Sequence, residues 1–310
     1  MDSAANARKG VLLLAALVLS ATGCVTTESK SSSLPGGSAD GGGSSRGSTE
    51  SARSDPAPAP EPYRFRTQNE LFVRLDGALK ASRELIDDPL KTGKLEDFIR
   101  GAADANLSVL LSELSIGSER NRIIAAGALG YSTNPVVRGP LAKALEDESS
   151  SVVSNALHSL AIVGRPGDGL DAAIARLRDP DPAVRSNAAL ALATVTPRGG
   201  ASLATEPLVI ALLDEDPVTR ANAALALGAI GDGDAVGHLA QALSDDMPRV
   251  RALAAQSLGQ LKARGAIRAL VGRLEDQNSL VRDRVRQALI AITGHDRGPD
   301  PKAWEADLRS

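Results

Sequence analysis

Apolar residues between positions 104 and 294 fall into two alternating patterns. In one, leucines stand four apart: Leu141/Leu145, Leu208/Leu212, Leu239/Leu243 and Leu270/Leu274. In the other, a valine, an alanine and a leucine do so, as in Val184, Ala188 and Leu192. Positions i, i+4 and i+8 share one face of an α-helix. The chain therefore predicts pairs of amphipathic helices, each of roughly a dozen residues. The second helix of each pair starts after a capping residue: Ser118, Ser149, Asp181, Asp216 or Asn278. Such side chains accept a hydrogen bond from the free amides of a first turn. In three units proline follows at the first helical position (Pro182, Pro217 and Pro248), where it removes no intrahelical bond. Met247 breaks the capping rule.

The second helix carries a fixed frame. Arg122, Arg185, Arg220, Arg251 and Arg282 recur three residues before an alanine-rich stretch, and Val153 takes the arginine's place in the second unit. The steps between these six positions are 31, 32, 35, 31 and 31 residues. A period of this size marks a solenoid, in which each unit packs only on its neighbours. Six residues before the frame position stands an aspartate: Asp147, Asp179, Asp214, Asp245 and Asp276, with Ile116 replacing it in the first unit. The expected fold is all-α, an α-α superhelix of about six helix pairs.

The pattern aspartate–turn–Pro–x–Val–Arg–x–x–Ala–Ala–x–Ala–Leu–Gly, cleanest around Ala223-Ala224-Leu225-Ala226-Leu227-Gly228, resembles HEAT repeats. Its short period is most similar to the bacterial HEAT-like class found also in phycobilisome lyases. The resemblance implies a ladder of hydrogen bonds between successive repeats, made by Asp179/Arg185, Asp214/Arg220, Asp245/Arg251 and Asp276/Arg282. The rival reading of the arginine row is anion binding. Because Ile116 and Val153 interrupt the series, the ladder is expected to be weakest toward its N-terminal end. Segment 140–164 is then expected to be the most pliable.

The ends do not carry the repeat. Arg8 and Lys9, the apolar run Val11 to Leu19 and the small residues before Cys24 resemble a lipoprotein signal peptide over 1–23. The apolar run is about half of the roughly 20 residues that span a bilayer. The resemblance implies lipidation of Cys24, the chain's one cysteine, which also excludes an intrachain disulfide. Val25, rather than aspartate, follows the cysteine. By family analogy this places an exported, lipid-anchored protein at an outer membrane, facing the periplasm or the cell surface. Residues 24–62 are the lipidated cysteine and a Ser/Gly- and then Pro-rich tether; the stretch 25–62 would span on the order of 35 Å if fully flexible. Residues 63–103 read as a helical cap, with helices over 68–86 and 95–103 separated by Pro89 and Gly93. Residues 295–310 read as a C-terminal cap. Phe65, Phe72 and Phe98 lie in the first cap and Trp304 in the second, with no aromatic residue between Tyr131 and Trp304. Terminal units of a solenoid need such covers.

Composition narrows the chemistry. A formal net charge of −3 lacks the basic excess that nucleic-acid binding requires. The three histidines, His158, His238 and His295, lie too far apart in sequence for a metal-binding motif. No phosphate-binding, zinc-protease or serine-hydrolase motif occurs. No cofactor, metal or catalytic residue is expected, and the chain reads as a non-enzyme. What remains is surface. On the second helices, frame positions +1 and +5 are expected to point away from the core. The +5 row of His158, Leu190, Leu225, Gln256 and Gln287 is the candidate surface for a protein partner. The alternative is that its leucines fill the space between helices. Asn155, Asn187 and Asn222 at +2 are expected to bond between repeats. The reading is therefore a membrane-anchored scaffold that binds a protein. Alternatives are a phycobilin-lyase-like enzyme that attaches a chromophore, or a structural envelope lipoprotein with no specific partner.

Overall fold

A computed structural model describes residues 63–85, 88–199 and 202–304. Among these, fourteen α-helices and no strand occur. Two helices, α1 (Gln68–Glu84) and α2 (Pro89–Ala105), precede the repeats. Six pairs follow: α3 (Leu107–Ile116) with α4 (Glu119–Leu129), α5 (Arg138–Lys143) with α6 (Ser150–Val163), and α7 (Leu170–Arg176) with α8 (Pro182–Val195). Then come α9 (Thr205–Ala211) with α10 (Pro217–Ile230), α11 (Val236–Ala242) with α12 (Pro248–Gln260), and α13 (Ile267–Val271) with α14 (Ser279–Thr293). Each second helix packs on its own first helix and on the neighbouring second helices, so α4, α6, α8, α10, α12 and α14 form one continuous layer. Cys24, the signal-like segment, the tether and residues 305–310 lie outside the described residues.

Two expectations about helix bounds change. The first helices run only 5 to 10 residues. Five of them tighten at the end, where the amide of Asp147, Asp179, Asp214, Asp245 or Asp276 bonds to the carbonyl three residues back. Such i→i−3 closure narrows the last turn and aims the aspartate at the neighbouring unit. In the N-terminal region, Pro89 begins α2 rather than separating two helices, and Gly93 lies inside it. The Asp88 side chain accepts from the Lys91 amide, and proline at the first turn has no amide to satisfy.

The core is a single run of alanine, leucine and valine from α1 to α14. Glycine sets the spacing of the second-helix layer. A Cβ on Gly259 would stand 2.9 Å from the Ala288 Cα, and one on Gly228 would meet Ser257. At the C-terminal end Trp304 is fully buried, and its Nε1 donates to the Gly298 carbonyl at 3.0 Å. The Arg286–Asp296 pair holds the intervening tail against α14.

Candidate functional site: the second-helix face

The second-helix layer is tied together first by the arginine–aspartate ladder. The rungs run between units. Arg185 donates from Nε and Nη2 to the two carboxylate oxygens of Asp214 at 2.8 and 2.9 Å, not to the Asp179 carboxylate. Its Nη1 returns to the backbone carbonyl of Asp179 in its own unit at 3.1 Å. Arg220 forks onto Asp245 in the same way, and Arg251 onto Asp276. A planar guanidinium suits this two-sided geometry, since its five donors are fixed in one fork. The aspartate has a second task. One oxygen each of Asp147, Asp179, Asp214, Asp245 and Asp276 accepts from the amide two residues on. The same carboxylate thus shapes its own turn and receives the neighbour's arginine. The hydrogen bond to the next unit's aspartate is the main reason Arg185, Arg220 and Arg251 hold their protons more tightly than a free guanidinium. Among the described residues no aspartate of a following unit faces Arg282, which bonds to the carbonyls of Asp276 and Gln277.

This register overturns the expected weakness at the N-terminal end. Ile116 costs no rung, because Arg122 uses Asp147 of the next unit, at 2.8 and 3.0 Å. The rung that Val153 lacks would have ended on Asp179. Arg176 supplies the cation instead. Its Nη1 pairs with Asp179 at 2.9 Å, while Nε and Nη2 donate to the Leu145 carbonyl in the previous unit at 2.9 and 2.7 Å. The joint at 140–164 therefore carries an inter-unit polar tie of its own.

A second series of cross-links lies along the layer. Asn155, Asn187 and Asn222 each donate from Nδ2 to a carbonyl of the preceding second helix: Ile123, Ser154 and Ser186. Ser159, Thr194 and Ser257 donate their hydroxyls to Ala126, Ala161 and Ala224. All six contacts satisfy polar groups that close helix packing would otherwise strand.

The solvent-facing row differs from the expected one. Position +1 is enclosed between helices in the third to fifth units, where Ser186, Ala221 and Ala252 are buried, while Asp283 in the last unit is exposed. Positions −2, +2, +5 and +9 instead share the outer side, being separated by four, three and four residues. The +5 residues do fall on this row, but not as exposed handles. Leu190 and Leu225 are only 8% and 4% exposed, His158 and Gln256 are half-buried, and only Gln287 stands clear. The two leucines sit low because alanine and glycine around them let the helices approach. They form the floor of a groove of about 430 Å³, with Ala193, Thr194, Gly228, Ala229 and Gln260 among its walls and Arg198 at its rim. The groove owes its edge to the long third step of 35 residues. The extra chain after α8 turns back at Gly199, whose φ of +89° glycine adopts freely. The Gly199 amide then caps the Ile230 carbonyl at the end of α10 at 2.9 Å.

In the first unit the same row is covered by the chain itself. Leu79 of α1 lies over Gly127 at +5, 3.3 Å from where a Cβ would be. Arg83 crosses to Asn155 in the second unit at 2.9 Å. His158, beside it, has its pKa lowered to about 4, first by burial and then by the Arg83 charge. It is neutral at pH 7. Among the described residues no group of three His, Cys, Asp or Glu side chains is placed to hold a metal, and no helix is long and apolar enough to cross a membrane. On the first-helix side, Ile210 and Leu213 are exposed around a smaller cavity of 220 Å³. Sequence reasoning missed this patch, although it was readable there: the corresponding positions in the next unit are Gln241 and Ser244.

The comparisons with known proteins agree with this architecture. An engineered protein of known structure is similar over 78% of this chain and 71% of its own, at 21% identity and a TM-score of 0.52. An Escherichia coli protein, YibA, is similar over 80% of this chain and 98% of its own, at 18% identity and a TM-score of 0.50. An archaeal HEAT-like repeats protein from Thermococcus onnurineus aligns over 74% of this chain and 98% of its own, at 15% identity and a TM-score of 0.47. At these identities the likeness to the first two concerns the fold alone. No functionally curated protein matches the chain. The sequence profile of the family described as HEAT repeats matches residues 107–193 and 205–290, broken where the long third step lies. With that match over more than half its length, the chain belongs to the HEAT-repeat family.

Proposed function

We propose that this protein is a non-enzymatic scaffold that holds a protein partner on its second-helix face, tethered to a membrane through a lipid on Cys24. The observation that carries the reading is the groove over Leu190 and Leu225. It is an apolar floor built into a layer stiffened on both flanks, by the arginine ladder at one end of the helices and by side-chain-to-carbonyl bonds along them. A preformed apolar recess with a few polar walls is the kind of surface on which a partner's side chain is desolvated. The tether supports the anchoring half of the reading, since a Ser/Gly/Pro-rich segment would hold the solenoid clear of a bilayer. Lipidation with two or three acyl chains would make the attachment stable.

The test is site-specific photocrosslinking in the native cell from Ala229 and Ala193 in the groove, with Glu206 on a first helix as the control position. A discrete protein captured from the groove positions and not from the control, and identified by mass spectrometry, is the expected result. Equal labelling from all three positions would remove the assignment of the face. Release of the protein from the membrane fraction by Cys24→Ser tests the anchor separately.

A further inference from the structure

We infer that the partner segment is an amphipathic helix that sets an apolar side chain on the floor made by Leu190 and Leu225 and a carboxylate against Arg249. The inference rests on the proposed function and adds the chemistry of the occupant. Three observations lead to it.

The first is charge. The chain as a whole carries three more acids than bases, yet the outer row of the six second helices, positions −2, +2, +5 and +9, contains no aspartate or glutamate at any of its exposed or half-buried positions. It contains Arg120, Arg249 and Arg284. A surface cleared of one sign within a chain rich in it favours a partner of that sign.

The second is that the chain already shows what fits. α1 is an amphipathic helix lying on this row in the first unit. It places Leu79 on position +5 and Asp76, one turn earlier, 3.8 Å from Arg120 at position −2. Arg249 occupies the same −2 position in the fifth unit. Arg249 stands one helix over from Leu225, on the order of 10 Å, and seven residues nearer its helix's N-terminus, about another 10 Å. A helical ligand covers that span of about 15 Å with a leucine and a carboxylate one or two turns apart once the reach of the arginine and carboxylate side chains is added, as Leu79 and Asp76 do across positions +5 and −2 in the first unit.

The third is Arg249 itself. Its Nη2 is enclosed and has no hydrogen-bond partner. Burial lowers its proton affinity, with no carboxylate beside it to offset the effect. The other −2 arginine, Arg120, has Asp76. A guanidinium held partly out of water without an anion is a site prepared for one.

The probe is a fluorescein-labelled, alanine-rich helical peptide carrying one leucine with glutamates four residues to either side. Its counterpart has lysine in place of glutamate. Both are titrated by fluorescence anisotropy against the purified full-length protein. The glutamate peptide is expected to bind at least tenfold more tightly than the lysine peptide, and Arg249→Glu to reverse that order. Ala229→Trp, which fills the groove without changing charge, is expected to abolish binding of both. Circular dichroism of each variant checks that the solenoid is intact, and the reversal by Arg249→Glu is itself a gain that misfolding does not produce. Equal binding of the two peptides, binding by neither, or indifference to Arg249→Glu would overturn the inference. If the photocrosslinks from Ala229 and Ala193 still capture a partner, the scaffold reading survives and only the acidic-helix chemistry fails. If those crosslinks fail as well, the face itself is wrong.

Discussion

Arg176→Ala isolates the substitute rung. In the intact protein the Arg176 guanidinium makes three bonds, two to the Leu145 carbonyl and one to Asp179, whose side chain is 6% exposed. Removing it leaves the Asp179 carboxylate with the Asp181 amide alone and strips the Leu145 carbonyl of both its guanidinium donors. Breaking a fully buried ion pair by deleting one partner costs about 3–5 kcal/mol. Arg176 is 29% exposed, so water relieves part of that loss and about 2–3 kcal/mol is the expected cost. A solenoid does not unfold as one unit. Hydrogen exchange is therefore the sharper assay: protection across α6 and α7 should fall by roughly 30- to 150-fold, at 1.4 kcal/mol per tenfold, while α12 and α14 change little. Val153→Arg in the Arg176→Ala background rebuilds the repeat's usual rung, because the new guanidinium meets an unpaired Asp179, and should recover much of the protection. Val153→Arg alone should destabilise, since it buries a cation beside Arg176 with no second carboxylate. Unchanged protection in Arg176→Ala, or no recovery in the double variant, would refute the view that Arg176 replaces the missing rung.

Other consequences of the packing are open to measurement. Arg220→Ala, which deserts Asp245 inside the ladder, should cost about 2–4 kcal/mol, whereas Arg282→Ala, whose side chain bonds only to carbonyls, should cost under about 1 kcal/mol; equal losses in urea denaturation would contradict the inter-unit register. His158 folds with its pKa depressed to about 4 from 6.5, so the unfolded chain binds its proton first as pH falls. Stability from this group is complete above pH 6.5 and declines toward pH 4. Its partly solvent-facing ring limits the loss to about 2 kcal/mol, and His158→Gln should flatten that segment of the stability–pH curve. Gly259→Ala should destabilise by about 1–3 kcal/mol through overpacking against Ala288, and should expose α12 and α14 to exchange before the other helices.

The periodic part of this molecule was legible because several positions recur together. The frame arginine, the aspartate six residues before it, the capping residues and the small residue at +8 each repeat often enough to fix helix order and turn chemistry. Direction was not legible. The spacing of Asp179 and Arg185 fits a contact within a unit as well as one between units, and only the packed second-helix layer brings Arg185 to Asp214. Arg176 escaped notice because it lies outside the frame and serves one joint only. The +5 leucines were correctly placed in a row, but their depth depends on how closely Gly228 and the alanines let neighbouring helices approach, which is a distance rather than a pattern. The first cap was misread at Pro89 because proline marks a helix start as readily as a break, and the Asp88 side chain decides which.

The distribution of charge ties the scaffold to its surface. The acids of the repeat gather at the turns that start the second helices, where Asp147, Asp179, Asp214, Asp245 and Asp276 close turns and four of them receive arginines from the preceding unit. That end of each second helix is its N-terminus, where negative charge is favoured by the helix dipole. At the opposite ends lie Arg165, Arg198, Lys262 and Arg264, again where the dipole favours them. Asp232 and Asp296 also stand at these ends, where they serve local bonds to Thr205 and Arg286. Ladder, dipole and local bonds thus account for the charges at both edges of the layer. They do not account for the exposed positions of the outer row between them, such as Ser151, Ala183, Gln260 and Ala291, where a solvated aspartate or glutamate would disturb neither ladder nor core. Five of the row's 24 positions are buried; the other 19, in a chain with 38 acids and 35 bases, hold arginine three times and a carboxylate never. In the first unit α1 covers this row with Leu79 and Asp76, and the absence of carboxylates along the rest of it is what the proposed acidic partner helix would explain.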